Sequence, residues 1–167
     1  MARLIGAACP AAEVEVIEPH PHPEAIERAA STTNVRYRPE LTGGYEFVIA
    51  TDVFEHVPDP LALVERTARH LRPGGHYLIA NCFWPVVRCH FPQTFHFRHT
   101  WDCALNAVGL APGETVGYGR AFVRRGDLVL EKAPAVERYS QWLSPWIERL
   151  PRLVRPRVVR VIWSLRV

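Results

Sequence analysis

Hydrophobic and polar positions along the chain change period several times, and each change predicts an element. The segment Glu13 to Glu18 (EVEVIE) alternates and is rich in Val and Ile, which predicts a strand of period two. The run PHPHP then breaks the alternation, and Glu24 to Ala30 (EAIERAA) reads as a short helix. Asn34 to Arg38 (NVRYR) predicts a second short strand. Gly43-Gly44 turns the chain into Tyr45 to Thr51 (YEFVIAT), an almost continuously apolar run of the kind that suits a strand buried on both faces of a parallel sheet.

The next element has start and stop signals of its own. Asp59 is placed to cap a helix with Pro60 at its first position. Leu61, Val64, Ala68 and Leu71 recur at three- and four-residue steps, while Glu65, Arg66 and Arg69 face elsewhere. Arg72-Pro73-Gly74-Gly75 ends the helix and leads into His76 to Ala80 (HYLIA), another apolar strand. Strand, helix and strand at this spacing make a βαβ unit, so the sheet is at least partly parallel.

Residues 81–99 read as a long irregular segment with two prolines and four of the seven phenylalanines, and a loop of that length is usually functional or a lid. Thr100 is expected to cap a short helix (TWDCALNAVGL) closed by Gly109. Thr115 to Val123 and Asp127 to Lys132, flanking Arg124-Arg125-Gly126, read as a closing antiparallel hairpin. The fold class is α/β with a C-terminal hairpin and an added helical tail.

Composition adds limits to this picture. The chain has 167 residues, 48% of them hydrophobic and 22% charged, which excludes wholesale disorder. It holds no uninterrupted apolar run long enough for a conventional membrane span. The first ten residues lack the pattern of a secretory leader, and Cys9, Cys82, Cys89 and Cys103 show no paired spacing, so reduced thiols in a cytoplasmic chain are expected. Charge is split. Residues 1–133 carry 13 basic and 15 acidic side chains, whereas residues 134–167 carry seven arginines against Glu137 and Glu148. The expected organisation is accordingly one domain over 1–133 and a basic amphipathic helical tail over 134–167.

The segment YEFVIATDVFEHVPDPLALVERTARHLRPGGHYLI resembles the class I S-adenosylmethionine-dependent methyltransferases, most of all the small-molecule branch that includes quinone O-methyltransferases. The matching features are Asp52 at a strand end, the Glu55-His56 pair, Pro58-Asp59 at a helix start, and Leu71 to Gly75 at its stop. The resemblance spans roughly residues 10–132 and implies a Rossmann-like sheet with S-adenosylmethionine as cofactor. It places Glu18 where the family holds the two ribose hydroxyls, a task that suits a carboxylate because two vicinal donors need a two-oxygen acceptor. Thr51 and Asp52 would line the cofactor's edge.

The family's glycine-rich loop has no counterpart before Glu13, so the expected sheet is an N-terminally truncated one, lacking the first strand and that loop. Its middle would close by direct pairing of the flanking strands or by a borrowed strand. Arg3 to Ala7 reads either as a substitute strand or as the end of a helix.

The resemblance further implies a base at His56 or a metal site at Asp52, Glu55 and His56, which share a face if helical. The plainer reading is that Glu55 and His56 hold the loop by hydrogen bonds. Cys82, Cys89, His90, His96 and His99 are suitable zinc ligands, but their spacing matches no closed pattern, and no metal ligand is assigned. His96, Arg98 and Trp101 lie where relatives place a substrate-facing segment: His96 is the second base candidate, with Arg98 and Trp101 gripping a small-molecule acceptor by cation–π and stacking contacts. Alternatively, these aromatics cap the sheet and His96 and Arg98 bond backbone.

In the tail, Tyr139, Trp142, Leu143, Trp146, Ile147 and Leu150 follow helical spacing, with a restart at Ser144-Pro145. Pro151 and Pro156 break the pattern, and Val158, Val161, Ile162 and Leu165 resume it beside Arg157, Arg160 and Arg166. This pattern suits a helix packed on the domain or one lying in a membrane interface over 139–166. No nucleic-acid motif accompanies the arginines, and no nucleic acid is expected as partner. Two functions follow: methyl transfer to a small acceptor, O-methylation first, or a non-catalytic relative that needs a protein partner or a missing segment to complete its sheet.

Overall fold

The computed structural model describes residues 1–164, and the chain divides into two units, Met1–Gly43 and the remainder from Gly44. Leu165 and Arg166 lie outside the described residues, as do the side chains of Arg160 and Ile162. The fold is mixed α/β, with six strands in two sheets and helices before, between and after them.

In the first unit, helix α1 (Ala2–Ala8) precedes strand β1 (Val14–Ile17), helix α2 (Pro23–Ala30) and strand β2 (Val35–Arg38), and β1 pairs in parallel with β2. Arg3 to Ala7 is therefore helical. A Cβ on Gly6 would stand 2.6 Å from Val35 Cγ2, which shows how closely α1 approaches β2. The Asn34 amide holds the turn between α1 and β1, donating to the carbonyls of Gly6, Cys9 and Ala12 at 3.1, 3.1 and 2.8 Å.

The second unit contains strand β3 (Tyr45–Thr51), helix α3 (Pro60–Ala68), strand β4 (Leu71–Ala80), helix α4 (Trp101–Ala107), strands β5 (Leu110–Val116) and β6 (Gly119–Arg124), and helices α5 (Ala133–Glu148) and α6 (Arg155–Ser164). Its sheet runs β3-β4-β6-β5, parallel at β3/β4 and antiparallel beyond. Asp59 caps α3 as its sequence predicts, accepting from Ala62 N at 2.8 Å. The helix ends at Ala68, and Leu71 already pairs with Tyr45, so Arg72 to Gly75 form an irregularity within β4 and not a separate turn.

One sheet face is packed. Tyr77 and Ile79 of β4 meet Leu61, Val64 and Ala68 of α3, and the same core takes in Phe54, Phe97, Leu105 and Phe122. Tyr77 buries its hydroxyl against Thr67 Oγ1 at 2.8 Å, and burial pushes its pKa up to about 12. The other face corrects the expectation that β3 is covered on both sides. Phe47 is 65% exposed and Ile49 38%, with Phe47 stacked on His76 at 5.1 Å between ring centroids. Among the described residues β3 is also an edge strand of its sheet.

Three further expectations are corrected. The hairpin is β5–β6, joined by Gly117-Tyr118, and Leu130–Lys132 is a short 3-10 turn instead of strand. Pro112 and Gly113 read as loop-formers, yet β5 is an edge strand, where a missing N–H costs no ladder bond. Residues 81–99 are not wholly irregular, because Pro92–Arg98 is a 3-10 helix with Phe97 in the core. Finally, α5 continues through Pro145, whose exposed position lets water satisfy the carbonyl it leaves unpaired.

The tail is built into the fold at its inner face. Val136, Leu143 and Ile147 of α5 and Val159 of α6 belong to the core, whereas Trp142 and Trp146 are exposed. Arg155 secures the end of α5 by donating to the carbonyls of Leu150 and Glu148, both at 2.8 Å. Among the described residues no helix is long and apolar enough to cross a membrane.

Candidate functional site

In parallel strand–helix–strand units, ligands bind beyond the carboxyl ends of the strands. Here that position is occupied by the residues following β3 and β4. Thr51 ends β3, and Asp52 turns away with φ 53°, a left-handed conformation that Asp tolerates better than most residues. Asp52 N donates to Ala80 O at 2.7 Å, tying the two strand ends together. Its carboxylate is exposed and accepts from the Tyr118 hydroxyl at 2.7 Å. That bond, first of all, holds the Tyr118 phenol above its ordinary pKa and keeps it protonated as the donor.

Beyond Asp52, the 3-10 turn Phe54–His56 brings down Glu55, whose side chain has no solvent exposure. Glu55 Oε1 accepts from Cys82 N at 2.7 Å, and the Glu55 carbonyl accepts from Phe91 N at 2.9 Å. The second carboxylate oxygen, Oε2, is buried without a hydrogen-bond partner. His56 Nδ1 lies 3.2 Å from the Cys89 carbonyl, and His90 Nδ1 lies 2.6 Å from the Trp84 carbonyl. A carbonyl can only accept, so both Nδ1 atoms donate, and in the neutral imidazole it is Nε2 that carries the lone pair. Glu55, His56 and His90 offer ligand atoms all within 4.8 Å of one another. One carboxylate and two imidazoles anchored through backbone carbonyls fit a divalent cation, and the orphaned Oε2 is what such an ion would satisfy.

A small cavity of about 250 Å³ lies alongside, lined by Phe83, Phe97, Arg98, Trp101, Tyr118 and Arg120 among others. Phe83, Phe97 and Trp101 pack edge-on or tilted, with centroids 5.0 to 5.7 Å apart. Trp101 Nε1 is buried without an acceptor. Arg98 is held by three partners: Nε donates to Phe95 O at 2.7 Å, a terminal nitrogen pairs with Glu148 at 3.0 Å, and the guanidinium stands 4.8 Å over the Trp84 ring. A larger open groove of about 1040 Å³ between α3 and α5 is lined by none of the candidate catalytic or binding residues named from the sequence. Its two arginines are committed, Arg69 to Glu65 and Arg124 to the Leu71 carbonyl.

The structure thus places Arg98 and Trp101 on one cavity and brings Asp52 to it through Tyr118. His96 does not line that cavity. It sits between the 3-10 helix and α5, with Nδ1 2.8 Å from Ser140 Oγ and Nε2 3.8 Å from Glu137. Burial pushes its pKa down to about 4. Glu18 follows β1 in the first unit, exposed, with Oε1 accepting from His20 N at 3.2 Å. Tyr118 is not singled out by the sequence, and His90, named there only among dispersed zinc-type ligands, is grouped by the structure with Glu55 and His56. Only Tyr118's place between Gly117 and Gly119 gave a local signal, that of a tight turn.

A mixed sheet with Asp52 beyond the end of β3, and a small cavity with aromatic walls reached through Tyr118, define an α/β domain with a cleft at its strand ends. Residues 1–107 match the family model described as a methyltransferase domain. The chain belongs to the class I S-adenosylmethionine-dependent methyltransferase family. It is similar to proteins named ubiquinone biosynthesis O-methyltransferase: 40% identical over 43 residues to that of Marinobacter nauticus, 40% over 42 residues to that of Xanthomonas oryzae pv. oryzae, and 38% over 42 residues to that of Vibrio parahaemolyticus. The aligned segment makes up 25–26% of this chain and only 18% of each relative's length.

Proposed function

We propose that the chain serves S-adenosylmethionine-dependent methyl transfer to a small aromatic acceptor, with a hydroxyl as the methylated group. The observation that carries this reading is Asp52, set in a left-handed turn at the end of β3 and bonded to Tyr118 on the wall of the aromatic cavity, in a chain that matches the methyltransferase domain. The relatives' printed names support O-methylation as the chemistry.

When bound, the cofactor supplies an electrophilic methyl group, and the protein's task is positioning. Glu18 would accept hydrogen bonds from ribose hydroxyls, and Thr51 and Asp52 would line the cofactor's edge, as the family resemblance implies. A cavity near 250 Å³ suits one substituted ring, stacked on Phe83 and Trp101, with Arg98 at its rim. His56, which like His96 is not among the residues lining the cavity, is the base assigned to the acceptor hydroxyl, because the Nδ1 contact to Cys89 O leaves its Nε2 available. Glu55, His56 and His90 are the residues that would hold a divalent cation, which supplies Lewis acidity toward that hydroxyl; His56 then serves as a ligand in place of a base.

A second reading is favoured by one observation. Strand β3 has an open edge among the described residues and exposes Phe47 and Ile49, as a sheet completed by a partner would. Calorimetric titration of the chain with S-adenosylhomocysteine separates the two. Saturable binding weakened at least about tenfold by Glu18→Ala and by Asp52→Ala supports the first reading, since each carboxylate bond is worth roughly 1.5–3 kcal/mol. No binding by the folded chain sinks independent methyl transfer and leaves a non-catalytic or partner-dependent protein.

A further inference from the structure

From the outer face of the C-terminal helices we infer that this chain docks on anionic lipid bilayers. This goes beyond methyl transfer and does not depend on it. Helix α5 buries Val136, Leu143 and Ile147, so Leu143 and Ile147 of the apolar pattern read from the sequence are already used in the core. What remains outside is a separate stripe. Arg138, Trp142, Trp146 and Arg149 recur at four-, four- and three-residue steps, all exposed, with Trp142 52% and Trp146 56% accessible. Arg149 lies over the Trp146 ring at 5.1 Å. The stripe runs into the connection to α6, where Arg152 is exposed and Leu153 is 92% exposed.

Charge identifies the occupant. The two acids of α5 lie on its other flank and are paired there, the half-buried Glu137 3.8 Å from His96 and the exposed Glu148 3.0 Å from Arg98. The outer stripe is therefore cationic and aromatic together. Two tryptophans and a fully presented leucine have no role in gripping a phosphate backbone, but they fit the interfacial layer of a bilayer while arginines meet its headgroups. Few apolar residues are presented, so binding is peripheral and reversible and relies on both contributions.

The test is co-sedimentation of the full chain with vesicles of phosphatidylcholine, with and without an equal part of phosphatidylglycerol. Expected is sedimentation with the anionic vesicles only, reversed by high salt. Trp142→Ala/Trp146→Ala should abolish it, and Arg138→Gln and Arg152→Gln should each weaken it about fivefold. Trp142→Phe/Trp146→Phe should retain most of it. Thermal melts of each variant, all at exposed positions, check that folding is unchanged. The inference is overturned if the wild type stays in the supernatant, or if the paired alanine variant sediments as well as the wild type. It is equally overturned if the stripe proves to hold a second copy of the chain, seen as a dimer that the alanine pair dissociates, or to bind a nucleic-acid duplex in preference to vesicles.

Discussion

The backbone N–H of Cys82, just past β4, donates a 2.7 Å hydrogen bond to Glu55, a side chain with no solvent exposure. This bond fastens the segment after β3 to the segment after β4 and leaves Glu55 Oε2 without a hydrogen-bond partner among the described residues. An unsatisfied buried oxygen is costly, and an ion that met it would be bound at the expense of that cost. Zn²⁺ or Co²⁺ is expected to raise the melting temperature of the wild type, with Co²⁺ adding visible absorption. His90→Ala should remove both effects while keeping the fold. Glu55→Ala should lose the metal response and also about 1–3 kcal/mol of stability, because the half-buried Cys82 N–H then loses its acceptor. An unchanged melt in the presence of either ion, with no cobalt spectrum, would leave Glu55 a purely structural residue.

Asp52 combines a strained backbone with an exposed carboxylate, so its stability and binding contributions should separate. Asp52→Gly removes the side chain from a position at φ 53° and is expected to leave stability unchanged or raise it by up to about 1 kcal/mol. The same change should weaken S-adenosylhomocysteine binding about tenfold or more. Chemical denaturation and titration on one preparation test this; a parallel loss of stability and binding would mean that Asp52 is a structural cap.

Close approach of the hairpin to β4 is testable at Gly119. A Cβ there would stand 2.7 Å from both Ala80 Cβ and the Ile79 carbonyl oxygen, and backbone cannot move aside cheaply. Gly119→Ala should cost about 1–3 kcal/mol and displace Tyr118 from Asp52. Gly43→Ala, where a Cβ meets nothing within 4 Å, is the control and should be neutral. Equal melting temperatures for the two variants would contradict the packing of β6 on β4.

Elements whose signals are local were readable in the sequence. Asp59-Pro60 announces α3, and the apolar run Tyr45–Thr51 coincides with β3. The hairpin was displaced because Pro112 and Gly113 look like a turn unless it is known that β5 is an edge strand, which only sheet order reveals. Site contacts were less legible for the same reason. Tyr118 reaches Asp52 across 66 residues, and the path by which residues 84–91 bring His90 back to Glu55 depends on carbonyl contacts with no pattern in side-chain identity. Periodicity gave both faces of α5 equal standing, and packing alone separated Leu143 and Ile147 from Trp142 and Trp146.

His96 makes the stability of the second unit depend on pH. Its side chain is 9% exposed, its Nδ1 meets Ser140, and its Nε2 finds no hydrogen-bond partner. Burial holds the imidazole neutral and pushes its pKa down to about 4, against about 6.5 in an unfolded chain. Glu137, at 3.8 Å, does not reverse this, because its own carboxyl is pushed up by burial and by the charge of Asp59. His99 is lowered too, by burial first and then by Arg155 and Arg98, with Glu148 opposing. Between the two pKa values the unfolded state binds more protons, so stability is full above about pH 6.5 and is lost progressively as pH falls toward 4, by about 3 kcal/mol for His96. His96→Asn can still bond Ser140 but cannot take up the proton. Urea titrations across this window should show a clear fall in stability for the wild type and a flatter one for His96→Asn, with His99 supplying what slope remains. An identical fall in both proteins would place the acid sensitivity elsewhere.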